Sequence, residues 1–275
     1  MTDNNVDSKG SLKSFPAANR VAWDDTASEH EKSRFEMLLR NFSDPEYLYL
    51  GDLEKSIFAQ LQLAEKSVVQ LACNNGREAI SIKRLGAKRS VGFDISRKFI
   101  EQGHALSEAA KVDCELIASD IYEIPGTYNG QFDLAFISVG ALMLMPDLTV
   151  FMAVAKRLLT SEGMIFIYER HPMLDMFDWQ DKNDPPAIVS SYFDTEPVKH
   201  EEFCNYWTKE TYKCSPMYTF HHKLSDVFNA LLKNGFSIEH FEEYEHDVSE
   251  MYITFEQLKL KPALCYTLIG SVVSR

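Results

Sequence analysis

The sequence predicts an α/β fold: a doubly wound, mostly parallel seven-stranded sheet with an antiparallel last strand, an N-terminal helical lid and an aromatic-rich insertion. Three observations carry that expectation. Short apolar runs alternate with helix-period segments between residues 67 and 169, the signature of strands buried on both faces by crossover helices. Residues 67–94 read as strand, tight loop, helix, strand. The final apolar run, residues 263–273, follows a long loop instead of a helix, which suits an antiparallel closing strand.

Taken in order, residues 1–20 lack periodicity and read as a mobile tail. Residues 21–62 read as the helical lid. Thr26 and Glu29 have capping-box spacing, and Phe35, Leu38, Leu39 and Phe42 share one helical face, which predicts a helix over 26–42. Asp44-Pro45 reads as the cap and first residue of a second helix carrying Leu50, Leu53, Ile57 and Leu61. Residues 63–170 form the expected ligand-binding core, with strands over 67–71, 89–93, 114–117, 132–138 and 164–169. Ser96 and Asp147 are the expected caps of two of its helices.

Residues 171–221 break the alternation with five prolines and a crowd of aromatics, including Trp179, Tyr192, Phe193, Phe203, Tyr206, Trp207, Tyr212, Tyr218 and Phe220. That segment reads as a partly β insertion over the C-terminal edge of the sheet, a substrate cover or else a satellite apolar cluster or a homodimer contact. Residues 222–275 complete the sheet, with a helix ending at Gly235 and a strand over 236–244.

The loop Ala72-Cys73-Asn74-Asn75-Gly76 sits between a strand and a helix N-terminus, where Asn and Gly permit a sharp turn and free N–H groups favour an anionic ligand. Asp94 follows Gly76 by 18 residues at the end of the next strand, placed to accept both hydroxyls of a ribose. A nucleoside with an anionic tail would span the two places.

The run VVQLACNNGREA followed by VGFDIS resembles the cofactor motifs of class I S-adenosylmethionine-dependent methyltransferases, in which a strand ends in an acid and Gly-x-Gly-x-Gly follows. Gln70, Ala72 and Asn74 depart from that pattern, and Gly76 matches it. The resemblance implies a Rossmann-like sheet and S-adenosyl-L-methionine as co-substrate. It implies Ala72, Asn74 and Gly76 at the methionine portion, Asp94 at the ribose, and Asp120 and Ile121 at the adenine, with Cys73 and Ile95 beside them in the cofactor site. Ser138, at the end of the fourth strand, lies on the expected active-site floor. Trp23, Tyr47 and Tyr49 are candidates to lie against the sulfonium.

Methyl transfer from a sulfonium needs alignment and exclusion of water, with a general base only for an acceptor that holds its proton tightly. His171, just beyond the fifth strand, is the first candidate for that base, ahead of His221 and His222. No short zinc-type ligand pair appears among Cys204, Cys214 and the histidines, so no metal is expected. The net charge of −13, with no Lys/Arg block, disfavours nucleic acid. The end of the fourth strand, Ile137-Ser138-Val139-Gly140, lacks the Asn/Asp-Pro-Pro-aromatic motif with which similar nucleic-acid amino methyltransferases hold a base, which leaves a small-molecule acceptor first and a protein side chain second. Five cysteines without a CxxC pair, no signal-like N-terminus and no membrane-length apolar run predict a cytoplasmic protein that does not enter the membrane. Two alternatives stay open at this point: an NAD(P)-dependent oxidoreductase, and a catalytically silent S-adenosylmethionine-binding protein.

Overall fold

A computed structural model describes residues 8–273 except 179, 180, 182, 206, 207 and 209; Trp179, Tyr206 and Trp207 of the insertion lie outside the described residues. Its centre is a seven-stranded sheet in the order β3-β2-β1-β4-β5-β9-β8. Strands β1 (Ser67–Leu71), β2 (Arg89–Asp94), β3 (Glu115–Ala118), β4 (Phe132–Ile137) and β5 (Leu159–Arg170) are parallel. Strand β9 (Cys265–Val272) runs antiparallel to both β5 and β8 (Phe236–Tyr244). Val68, Val69 and Leu71 of β1 are wholly buried, as a central parallel strand requires. Chain order reverses beside β1, so the C-terminal ends of β1 and β4 open onto a topological switch point, where ligands bind in such sheets.

Helices α4 (Arg77–Arg84), α5 (Arg97–Ala110), α6 (Leu148–Leu158) and α7 (Leu224–Lys233) cover the two faces. Ser96 caps α5 by accepting from the Phe99 N–H at 3.2 Å, and Asp147 caps α6 through the Thr149 and Val150 N–H groups. The fifth strand begins at Leu159, earlier than the expected 164, because Leu159 pairs with Phe132 across a register shift.

The N-terminus differs most from expectation. Helix α1 spans Ser8–His30, so residues 8–20 are helical and the expected tail to residue 20 is corrected. A π-helical turn (Glu31–Phe35) and α2 (Glu36–Phe42) continue it. The order of 8–20 comes from contacts distant in sequence: Phe15 meets the rings of Tyr218 and Phe220 edge-on at 4.9 and 5.2 Å, and Asn19 is buried against the backbone of Tyr218. Thr26 therefore lies inside α1, donating its hydroxyl to the Ala22 carbonyl. Asp44 accepts from the Glu46 N–H in a turn, and α3 (Asp52–Gln60) starts later, where the Glu54 carboxylate accepts from the Gly51 N–H. Arg84 ties this region down by donating to the carbonyls of Phe42, Asp44, Tyr47 and Ala110.

Within the insertion, β6 (Val198–Cys204) and β7 (Thr211–Thr219) form an antiparallel hairpin that packs on α1. Asn19 joins α1 to β7 at both its amide oxygen and its amide nitrogen, and Asp25 accepts from the Ser215 N–H at 3.0 Å.

Candidate active site

The β1–α4 loop is folded by alternating left-handed residues, with φ of 56° at Ala72, 54° at Asn74 and 69° at Gly76. The N–H groups of residues 73–76 are committed within the protein. Cys73 donates to the Phe93 carbonyl, Asn74 to Asp94 Oδ2 at 2.7 Å, Asn75 to Asn74 Oδ1 at 2.8 Å, and Gly76 to the Cys73 carbonyl. The expectation of a turn offering free N–H groups at residues 74–76 is thus corrected, because the Asp94 carboxylate, the Asn74 side-chain oxygen and the Cys73 carbonyl accept from them. What the loop presents to a ligand is its surface and the side chains beside it.

Beyond the loop lies a cavity of about 930 Å³. Ala72, Cys73, Asn74, Asp94, Ile95, Asp120, Ile121 and Ser138 line it together, so strand ends and loops far apart in sequence meet on one wall. The cavity also reaches the N-terminal helices at Trp23, Tyr47 and Tyr49, and the hairpin at Val198, His200, Phe203 and Met217. A volume of that order, roughly the upper range for small-ligand sites, accommodates a nucleoside-sized molecule with a second reactant.

Two residues expected at the site stand elsewhere. Gly76 does not line the cavity; a Cβ there would lie 2.5 Å from Leu116 Cδ2, so glycine is required by packing behind the loop. His171 is corrected as a candidate base. Its ring is buried, Nδ1 accepts from the Met173 N–H at 3.0 Å, and Nε2 lies 2.9 Å from Glu243 Oε1; neither His171 nor Glu243 lines the cavity. Burial lowers its pKa, against the opposing pull of Glu243. Cys73 turns its sulfur inward, where a Cβ on Gly92 would meet it at 2.7 Å, and burial pushes its thiol well up.

Asp94 is the hub of the polar wall. Its Oδ2 accepts from Asn74 and its Oδ1 from the Ser96 N–H at 2.9 Å, while each oxygen keeps a further lone pair. Burial raises its pKa to about 7, although those two bonds favour the carboxylate. Asp120 caps the turn after β3 through the Tyr122 N–H at 2.9 Å, and burial raises its pKa too. Glu169 is spent on structure, accepting from Gly140, Leu142 and Arg170 N–H groups and fixing the turn after β4.

A buried amide bears on the fit of the implied co-substrate. Gln70 donates Nε2 to Ser138 Oγ at 2.9 Å, and its Oε1 is buried with no partner among the described residues. An orphaned acceptor where the resemblance places an acid fits a ligand that carries a donor, such as an amino group.

Sequence reasoning missed several charged residues of the cavity. Arg77, directly after the loop, lines it with its guanidinium 4.5 Å over the Tyr49 ring and 3.3 Å from Glu78. Glu54, from α3, is raised to about 7, by burial first and the nearby Glu78 further. Asp175 was missed as well: it lines the cavity where it meets Arg170 and His221, the latter already a second candidate for the base. Among the described residues no cluster of three His, Cys, Asp or Glu side chains is arranged to hold a metal ion.

Comparison with known proteins agrees with this geometry. Residues 68–163 match the family model of the methyltransferase domain. An uncharacterized protein of Methanocaldococcus jannaschii is 36% identical over 81 residues, a stretch covering 29% of this chain and only 37% of that protein. Among solved structures, an S-adenosylmethionine-dependent methyltransferase of Mesorhizobium loti superposes with a TM-score of 0.60 at 19% identity, over 80% of this chain and 98% of that one. A second, from Clostridium acetobutylicum, gives 0.56 at 13% identity over 91% and 98%. The stretch that matches the methyltransferase domain, residues 68–163, holds the β1–α4 loop and Asp94, and the sheet around it has the fold of these solved S-adenosylmethionine-dependent methyltransferases.

Proposed function

We propose that the enzyme methylates an O, N or C atom of a small-molecule acceptor by in-line displacement, in the cytoplasm, with the β6–β7 hairpin covering the acceptor. The observation that carries this reading is the continuity of one cavity from Asp94, Asp120 and Ile121 at the sheet to the hairpin and its neighbours. When bound, S-adenosylmethionine supplies a methyl group already activated by the adjoining sulfonium.

The chain's own residues supply placement. Asp94 offers its remaining lone pairs to the ribose hydroxyls, and Asp120 and Ile121 meet the adenine edge and face. Arg77 puts a positive charge beside the loop, where the carboxylate of the methionine portion belongs, and Gln70 Oε1 offers an acceptor to its amine. Trp23, Tyr47 and Tyr49 face the sulfonium region, where aromatic rings attract a cation. The N-terminal helices and the hairpin exclude water from the reacting atoms.

The net charge of −13 supports an acceptor other than nucleic acid, and the five free cysteines are consistent with a reducing compartment. No helix among the described residues is long and apolar enough to cross a membrane. A homodimer through the insertion would bury Ile188, Val189 and Phe193, which stand exposed, and sizing chromatography reads it directly.

Calorimetric titration tests the cofactor assignment. S-adenosylmethionine and S-adenosylhomocysteine should bind while NAD(H) does not, and Asp94→Ala should weaken uptake at least tenfold, about 1.4 kcal/mol. Unchanged affinity in that variant refutes the placement. A screen of small acceptors, followed by S-adenosylhomocysteine release, tests turnover.

A further inference from the structure

Of the histidines considered for proton transfer, His221 alone faces the cavity with a carboxylate behind it. His222, its neighbour, turns away and bonds the Met145 carbonyl through Nε2 at 2.7 Å. His200 lines the cavity from β6, but its Nε2 is engaged by Thr219 Oγ1 at 2.8 Å. His221 Nδ1 lies 3.5 Å from Asp175 Oδ2, on the short helix Pro172–Met176, and Arg170 Nη1 from β5 holds the other oxygen, Oδ1, at 2.6 Å. We infer that His221 is the general base for an aromatic hydroxyl acceptor, with Asp175 as the residue that positions its ring and Arg170 as the clamp on Asp175. The inference rests on the methyltransferase reading and names the acceptor class for the same cavity.

The geometry suits the step. With Nδ1 directed at Asp175, Nε2 is the nitrogen left for the acceptor. The acceptor oxygen forms a bond to the methyl carbon as the carbon–sulfur bond breaks, and its proton passes to His221 Nε2. S-adenosylhomocysteine leaves as a neutral thioether. One cation, the sulfonium, is replaced by another, the imidazolium, so no net charge is created in a water-poor cavity. Asp175 stabilises that imidazolium without taking its proton. Burial opposes the Asp175 charge, but Arg170 and His221 outweigh it and hold the carboxyl down at about 2. The 3.5 Å separation is within the looseness common in catalytic pairs that tighten on loading.

The groups facing His221 are Asp175 on its short helix, Arg170 on β5, Asp194 in the loop before β6 and His200 on β6. Asp175 raises the His221 pKa, against burial, and Asp194 adds to it while Arg170 opposes. The neutral, active form of His221 is therefore favoured only above the ordinary histidine value of 6.5. The acceptor class follows from the walls: Met143, Phe177, Phe203, Met217 and Tyr252 line the same cavity, and favour a flat apolar ring. A phenol, with a pKa near that of tyrosine at about 10, is the kind of ring substituent that needs a base at neutral pH.

The test compares the chain with its His221→Gln variant at pH 8 on two probes, 4-methoxyphenol and 4-nitrophenol, the second being largely ionised at that pH and the first not. Calorimetry with S-adenosylmethionine accompanies it, and so does nitrogen NMR of the histidine rings with S-adenosylhomocysteine present. The variant should lose 100-fold or more on 4-methoxyphenol, in the range of about 10²–10⁴ for a lost base, and under tenfold on 4-nitrophenol. Its S-adenosylmethionine affinity should stay within twofold. The wild-type rate on 4-methoxyphenol should climb with pH through an inflection above 6.5 that the variant lacks, and Asp175→Asn should lower the His221 titration seen by NMR. Equal losses on both phenols, an inflection kept by the variant, or a wild type that binds S-adenosylmethionine yet methylates neither phenol overturns the inference. A wild type that does not bind S-adenosylmethionine overturns the underlying enzyme reading instead, and the inference with it.

Discussion

Gly76 shows how a residue type legible in the sequence takes its meaning from the far side of the loop. Its φ of +69° asks for glycine, and a Cβ would also press within 2.5 Å of Leu116 Cδ2 and 2.8 Å of Cδ1. Leu116 is itself buried and packed against Ala79 and Cys73, so it has little room to yield. Gly76→Ala should therefore destabilise the fold by about 2–4 kcal/mol, combining left-handed strain with overpacking. Urea unfolding should show a lower midpoint with an unchanged slope, and a loss under about 0.5 kcal/mol contradicts the packing argument. The place of Asp94 on the cavity wall was readable because an acid at a buried strand end has few structural uses. Gly76 was misassigned because close approach to a ligand and close approach to a leucine ask for the same residue. Arg170, Asp175 and His221 carry no local spacing, so only the fold brings them to one place.

Among the elements, the alternation of strands and helices was legible because each strand is apolar and each helix carries one apolar face, with caps such as Ser96 and Asp147 marking the starts. The N-terminal helix was not. Pro16 lies inside it, and its partner is a hairpin some 200 residues away, invisible to local pattern. Asn19 is the joint. It accepts from the Tyr218 N–H at 2.7 Å and donates to the Tyr218 carbonyl at 2.9 Å, so it completes the backbone of β7 as a neighbouring strand would. Asn19→Ala leaves both groups without their partner and should cost about 2–3 kcal/mol. Hydrogen exchange should quicken across residues 198–219 and not across β1, β4 and β5. Uniform quickening would mean that the hairpin unfolds with the sheet, and that α1 does not hold it separately.

For the whole molecule, pH acts through groups whose burial pulls stability in opposite directions. Asp94 and Glu54, raised by burial to about 7 from 3.8 and 4.5, keep protons that the unfolded chain has lost, so their contribution to stability fades as pH rises through that window. His30 works the other way. It is buried at the end of α1 with its ring 5.6 Å from that of Phe99, and burial, with Arg77 adding to it, lowers its pKa from 6.5 to about 3. Between those values the unfolded chain binds a proton that the folded chain refuses. Stability is lost as pH falls, by about 1.4 kcal/mol per unit for this group. His30 cancels about one of the two acid slopes between about pH 4 and 7, so stability there falls more gently with rising pH than Asp94 and Glu54 alone would make it. Replacing His30 removes that offset. His30→Asn should be destabilised at pH 7 by the lost packing, and its deficit against the wild type should shrink by about 3 kcal/mol at pH 4.5, two units into the His30 window. Urea unfolding at both pH values measures it, and an equal deficit at the two would show that His30 is not held neutral. Because Arg77 is both a cavity cation and one cause of the His30 shift, Arg77→Gln should raise the His30 pKa and shrink the acid loss as well, tying the outer helix to the cavity wall through one charge.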